Sequence, residues 1–271
     1  MRPIGLFVLW LCVPLCADGD EKQEREQRLR GMRLRAEATM VTELLDDGPA
    51  KGKLVAEPLF RYKDEPRDIL DATLWAYGTP GRPVALEKIE VYRKQARWFH
   101  CMTSLSEALI EADWRDGQKW SSKRSGIDFR LLPDGPKASK SKAGRLFQMK
   151  QIAHRFDAEL FDETTKQDTK MRPLPRPIYR YADLDQGIED GAIFGYATYG
   201  TNPDVLQAIE LHEGAAGSTW KYGLARMTLY KVTVNLDDKQ VWQVPFVPPQ
   251  GPGRPSKFDT WLFFHEVNAG E

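Results

Sequence analysis

Cysteine is nearly absent from this chain of 271 residues, which has only Cys12, Cys16 and Cys101. The first two fall in "MRPIGLFVLWLCVPLCADGD", which reads as a secretory signal peptide over residues 1–19. Arg2 supplies the positive start, Ile4 to Cys16 is apolar but too short to span a bilayer, and Ala17-Asp18-Gly19 offers small residues for cleavage. Cleavage leaves Cys101 alone and excludes an internal disulfide, so stability must come from packing. Within "RWFHCM", Cys101 reads as a buried core thiol. An excess charge of one sign is also lacking. The 39 basic and 39 acidic residues cancel, which removes the electrostatic case for a nucleic-acid binder. No later apolar run approaches membrane-spanning length, so no transmembrane segment is expected after signal cleavage and the mature chain is expected to be secreted or periplasmic.

The motifs of several enzyme classes are missing as well. His100, His154, His212 and His265 are scattered, with no H-E-x-x-H or C-x-x-C pairing to hold a metal. There is no G-x-G-x-x-G, no P-loop and no G-x-S-x-G elbow. Ser139-x-x-Lys142 sits in a basic linker without companion motifs.

What the chain does have is a phrase written twice. "PLFRYKDEPRDILDATLWAYGT" (58–79) is echoed by "PIYRYADLDQGIEDGAIFGYATYGT" (177–201), which aligns Arg61 with Arg180, Tyr62 with Tyr181, Asp64 with Asp183 and Asp71 with Asp190. "PVALEKIEV" (83–91) then faces "PDVLQAIEL" (203–211). Trp98 and Trp120 match Trp220 and Trp242, the same distance apart in both copies. Upstream, "RLRGMRLRA" (28–36) matches "RLFQMKQIA" (145–153). Leu29, Met32, Ala36 and Met40, and likewise Leu146, Met149, Ala153, Phe156 and Leu160, recur at helical spacing. Runs rich in aromatic and branched residues follow, punctuated by turns such as Asp116-Gly117, and read as antiparallel strands.

The expected fold is therefore α+β: a tandem duplication in which each unit is an amphipathic helix followed by an antiparallel β-meander. A β-sandwich shared by both halves is the alternative. The expected boundaries are a signal peptide at 1–19, a first repeat at 20–136, a basic linker at 137–144 and a second repeat at 145–271. "IDFRLL" (127–132) is expected to close the first copy and "DTWLFFHEV" (259–267) the second.

Residues common to both copies most cheaply serve the shared fold. Arg61 and Arg180 read as pins near Asp64 and Asp183, with Glu90 and Glu210 as partners; the competing reading is two equivalent ligand sites. Residues peculiar to one copy, His212, Glu213 and Arg226, are the candidates for a site in the groove between the repeats. "ADLDQGIED" places Asp183, Asp185, Glu189 and Asp190 in an acidic loop of the kind that offers oxygen ligands to calcium. Its spacing departs from an EF-hand, and a solvated turn is the other reading.

"RPIYRYADLDQGIEDGAIFGYATYGTNPDVLQAIE" with "KYGLARMTL" resembles runs in a family of secreted proteins of environmental bacteria, one with no assigned activity. The resemblance implies bacterial export and carries no site residues across. The functional expectation is an exported, non-enzymatic binding or structural protein for a polysaccharide or an envelope partner. A secreted polymer hydrolase with its site between the repeats is the alternative.

Overall fold

The computed structural model describes residues 17–78, 81–215, 217–250 and 254–266. The expected signal peptide therefore lies almost wholly outside the described residues, and Ala17 already begins helix α1 (Ala17–Ala38). The strands that follow are β1 (Met40–Leu45), β2 (Gly48–Gly52), β3 (Phe60–Asp64), β4 (Ile69–Tyr77), β5 (Ala85–Tyr92), β6 (Gln95–Ser104), β7 (Leu109–Asp113), β8 (Lys119–Ser121) and β9 (Arg130–Leu131). Helix α2 (Lys142–Ala153) opens a second series: β10 (Phe156–Asp162), β11 (Gln167–Pro173), β12 (Tyr179–Asp183), β13 (Ile188–Ala197), β14 (Val205–His212), β15 (Thr219–Arg226), β16 (Lys231–Leu236) and β17 (Lys239–Val244). The chain ends in β18 (Ser256–Phe258) and β19 (Trp261–His265).

This corrects the α+β expectation. The chain is mostly β: two helices stand against nineteen strands among the described residues, and the strands do not follow each helix as a single meander. β1 and β2 come straight after α1 and pair with β7 and β8, in the order β2-β1-β7-β8, while β3 to β6 form a separate sheet. The helices are also shorter than the apolar stripe suggests. Met40 is already in β1, and Phe156 and Leu160 are in β10. Phe156, Ala158 and Leu160 are all buried, so the stripe there has the strand period of two, which a spacing of four also satisfies.

The two series pair alike. β3-β4-β5-β6 matches β12-β13-β14-β15, and β2-β1-β7-β8 matches β11-β10-β16-β17. Even the irregularities correspond, with register shifts between Tyr62 and Asp64 and between Tyr181 and Asp183. Trp98 lies opposite Val91, and Trp220 opposite Leu211, at the same ladder position. In the second series the sheets are fused, because Arg172 and Pro173 of β11 pair with β13. In the first, a lone bridge from Leu54 to Tyr77 takes that place.

The closing strands are exchanged between the halves, which corrects the expectation for "IDFRLL" and "DTWLFFHEV". β9 adds to β15 of the second half, with Tyr222 opposite Arg130. β19 adds to β6 of the first half, from Trp261 opposite Thr103 to His265 opposite Phe99. Each crosses to the sheet edge the other half leaves open, where backbone donors and acceptors would otherwise be unpaired.

Three cores result. Each half has its own: Met32, Trp75, Ile89 and Ile110 in the first, and Met149, Phe194, Ile209 and Val232 in the second. A third lies between them, where Leu74, Leu86, Cys101 and Trp261 meet Ile127, Ile193, Leu206 and Met227. Cys101 is buried as expected, accepts a hydrogen bond from Trp261 Nε1 at 3.1 Å, and has its thiol pushed up to about 12 by burial.

Candidate functional site

Arg61 and Arg180 are fold residues. Each makes a two-pronged bond to an aspartate ten positions on, Asp71 and Asp190 respectively, and not to the glutamates expected as partners. A second arginine joins each pair from the helix: Arg28 at 3.2 Å from Asp71 and Arg145 at 2.7 Å from Asp190. Arg61 and Arg180 also donate to helix carbonyls, those of Arg25 and Lys142. Each trio thus pins a helix to the face of its sheet by charge-assisted bonds. Glu90 and Glu210 are buried acceptors for Tyr62 Oη (2.7 Å) and Tyr181 Oη (2.6 Å).

The halves leave two matched cavities along their common boundary, and these differ in size. One, of about 260 Å³, is lined by Arg67, Lys88, Tyr92 and Tyr230. Its polar side chains cross the boundary: Arg67 grips Asp204 at 2.7 and 2.8 Å, and Lys88 donates to Asn202 and to the Met227 carbonyl. The other, of about 770 Å³, has Gln186, Ala208, His212 and Ala108 at the corresponding ladder and loop positions, of which all but Ala208 line it. Three large side chains are thus replaced by smaller ones and Tyr92 by a histidine. The larger cleft is open because the bulk and charge that lock its counterpart are missing.

Its floor is a charged relay. Arg82 enters from the loop before β5, where the second half has Asn202, and stacks 4.3 Å over Phe129. Its Nη1 donates to buried Glu210 at 2.8 Å and its Nη2 to exposed Glu107 at 2.7 Å. His212 Nε2 donates to the other Glu210 oxygen at 2.6 Å. Burial alone pushes Glu210 up, but the bonds from His212 and Tyr181 and the Arg82 charge outweigh it and hold the carboxyl below its usual range. Burial also lifts Tyr181 well above an ordinary phenol, reinforced by the Glu210 charge. The rim carries Glu43 (bonded to Ser106), Asp46, Lys51 and Asp183, with Leu44, Leu45 and Leu109 exposed at the lip. Four lining carboxylates, Glu43, Asp46, Glu107 and Asp183, face two cations, Lys51 and Arg82, so the cleft favours neutral or positively charged ligands.

Among the expected site residues the structure brings Glu210 and His212 together at the cleft, with Asp183 on its rim, and bonds Arg180 to Asp190. Glu90 lines the smaller cavity, Glu213 is exposed beyond β14, and Arg226 is buried at the far end of β15. The acidic loop does not converge. Asp190 is held by two guanidinium groups, Glu189 accepts from Ser218, Asp185 is exposed, and Asp183 faces the cleft. Among the described residues no group of three His, Cys, Asp or Glu side chains is placed to hold a metal ion. Arg82, Glu107 and Ser106 were not singled out from the sequence. Arg82 could have been found as a charged residue aligned with a neutral one, the signal that marked His212.

In comparisons with known proteins, no family model, no curated protein and no solved structure matches this chain.

Proposed function

We propose that the chain is an exported binding protein whose ligand lies in the cleft between its halves. The observation that carries the reading is the asymmetry of the boundary: one cavity is filled by Arg67, Lys88, Tyr92 and Tyr230, and its counterpart is left open at about 770 Å³ with Ala108, Gln186 and His212 in their places. A fold that needs only to hold its halves together gains nothing from emptying one side, and loses buried contact by doing so. The titratable groups on the floor are committed to one another, which suits recognition better than proton transfer.

The ligand class follows from the lining. No Phe, Tyr or Trp side chain lines the cleft among the described residues, so recognition rests on hydrogen bonds donated by Gln186 and Lys51 and accepted by Asp183 and Asp46. A neutral or amine-bearing polysaccharide fits this lining, and a uronate-rich one is repelled by the four carboxylates.

The experiment is to refill the cleft. Ala108→Tyr installs the side chain that Tyr230 supplies on the other side. A glycan array with wild type and A108Y, read beside a panel of chromogenic hydrolase substrates, is expected to show binding without turnover, and the variant is expected to lose the binding while keeping its melting temperature. Binding unchanged in A108Y refutes the site. The second reading, a polymer hydrolase, is favoured by the 2.6 Å bond between His212 and Glu210 on the cleft floor, where the carboxylate would orient the imidazole as a base. Turnover of any substrate that His212→Gln abolishes would establish it in place of the binding reading.

A further inference from the structure

Arg226 is the most deeply buried guanidinium in the described chain, 1% exposed, and no carboxylate pairs with it. It caps the end of β15, where the first half has Ser104 at the matching ladder position. Nε donates to the Thr228 carbonyl at 3.0 Å, and Nη2 donates to those of Leu229 and Tyr230 at 3.2 and 3.1 Å. The group packs over Trp261 at 4.9 Å and Phe258 at 5.6 Å. Nη1 is buried and has no partner. Burial without a counter-charge lowers the pKa to about 10, the reverse of Arg67, Arg82 and Arg180, which face carboxylates and are raised.

A buried cation held only by carbonyls and ring faces is an incomplete arrangement, since two N–H donors are unused and the charge is uncompensated. Arg226 also lines a cavity of about 190 Å³, which adjoins the cleft described above at Ser125. Arg124 and Arg130 line the same cavity, with Ser125 and Thr260 as further hydroxyl groups. Arg124 meets Asp259 at 3.4 Å, while Arg130 meets Asp128 through Nε and Nη2 at 3.2 and 3.1 Å and donates Nη1 to the Val241 carbonyl at 2.7 Å; all four charged side chains are exposed to water, so their pairing is screened. Three guanidinium groups thus border one small space against a single carboxylate, Asp128, which Arg130 already engages, and Nη1 of the innermost lacks an acceptor.

We propose that this cavity binds a small oxyanion, the carboxylate or phosphate group of a ligand, which Arg226 receives through Nη1 and which Arg124 and Arg130 draw in at the mouth. The anion supplies the counter-charge missing around Arg226 and ties β15 to the loop before β9 and to the β18–β19 hairpin, which carry the lining residues. Its three arginines and Thr260 do not line the cleft, so the proposal does not rest on a polysaccharide bound there.

The test uses the full chain and follows melting temperature in sodium phosphate, sodium sulfate and sodium acetate against sodium chloride at equal ionic strength. Acetate isolates the carboxylate source, and phosphate and sulfate the tetrahedral one. At a hundredfold excess over Kd the expected rise above chloride is roughly 5 °C, and it saturates. Arg226→Gln removes the rise. Because that variant also loses the bonds to the Thr228–Tyr230 carbonyls and can unfold for that reason alone, the double variant R124Q/R130Q is measured beside it. These two arginines are exposed, so in chloride it is expected to melt within about 1 °C of wild type. Its half-saturating anion concentration should rise about fivefold or more. The proposal is overturned if no oxyanion raises the melting temperature above chloride, or if all three proteins respond alike.

Discussion

Exchange of the closing strands makes a sharp demand on how the protein unfolds, and Trp261→Ala tests it. Trp261 follows the second half in the chain but is fully buried against the first, opposite Thr103 on β6, with its indole N–H on Cys101 Sγ. Its neighbours Leu262 and Phe264 are also buried, on the other face of the strand, in the first half's own core. Truncating a buried tryptophan costs about 3–5 kcal/mol from lost transfer energy and the cavity left behind. For a chain of this size each kcal/mol lowers the melting temperature by about 2–4 °C, so a fall of roughly 10 °C is expected by calorimetry. The location of the damage is the stronger test. Native-state hydrogen exchange should show the largest loss of protection in β6 and β5, more than 150 residues away in sequence. Unfolding should remain a single transition, because neither half keeps a complete sheet edge without the other's strand. If protection falls only in β16 and β17, or if the variant melts in two steps with one half unchanged, the exchange does not hold the halves together and the reasoning fails.

Three further outcomes follow from named groups. His100 is buried between Glu87 at 2.8 Å and Glu266 at 3.2 Å, and its pKa is about 9 because hydrogen bonds to both carboxylates outweigh the effect of burial. Since the folded value lies above the ordinary 6.5, this stability is complete below about pH 6.5 and is lost as pH rises through 9; about 3 kcal/mol should disappear from wild type over that window but not from His100→Gln, as read from denaturant midpoints. Asp190 runs the other way: burial raises it, its two arginines outweigh that and hold it low, so its contribution is present above about pH 4 and lost as pH falls; Asp190→Asn should cost about 1–3 kcal/mol at pH 7 and flatten the acid limb of the stability curve. Gly81 has φ +99° and a Cβ there would fall within contact of the Asp183 carboxylate, so Gly81→Ala should lose about 1–3 kcal/mol, with Asp183→Ala in the same chain restoring only part because the backbone strain persists; full restoration would mean the contact alone matters.

The sequence made some of these features readable and hid others for physical reasons. The strands β4 to β6 are legible because "ATLWAY", "ALEKIEVY" and their neighbour bury residues on both faces, and runs of branched and aromatic residues signal that directly. The hairpin of β1 and β2 was not, since "GPAKG" has no large apolar residue and Leu44 and Leu45 point to solvent. The α+β class overvalued the helices. Among the described side chains of α1 only Met32 and Ala36 are buried, and the run from Glu21 to Gln27 is exposed. Strand exchange was out of reach because β9 is two residues long and its pairing is settled by which sheet edge is free, a tertiary fact. At the site, His212 and Glu210 were within reach because matched positions could be compared. Arg82 gives a weaker signal, because its counterpart Asn202 is also polar.

The same comparison explains how a cleft can exist at the boundary without splitting the molecule. On the filled side, Arg67, Asp204, Lys88 and Asn202 form a buried lock across the halves; burial raises Asp204, but the Arg67 charge and bonds outweigh it and keep the carboxylate ionised. On the open side, Arg82 to Glu210 is the equivalent tie, and it lies at the floor instead of filling the space. The closing strands add a second set of crossings that leave the cleft walls free, with β19 on one sheet and β9 on the other. With cohesion supplied by the exchange and by one lock, side chains on the opposite side are released from the duty of holding the halves together. Ala108, Gln186 and His212 can therefore be small or polar at little cost in stability.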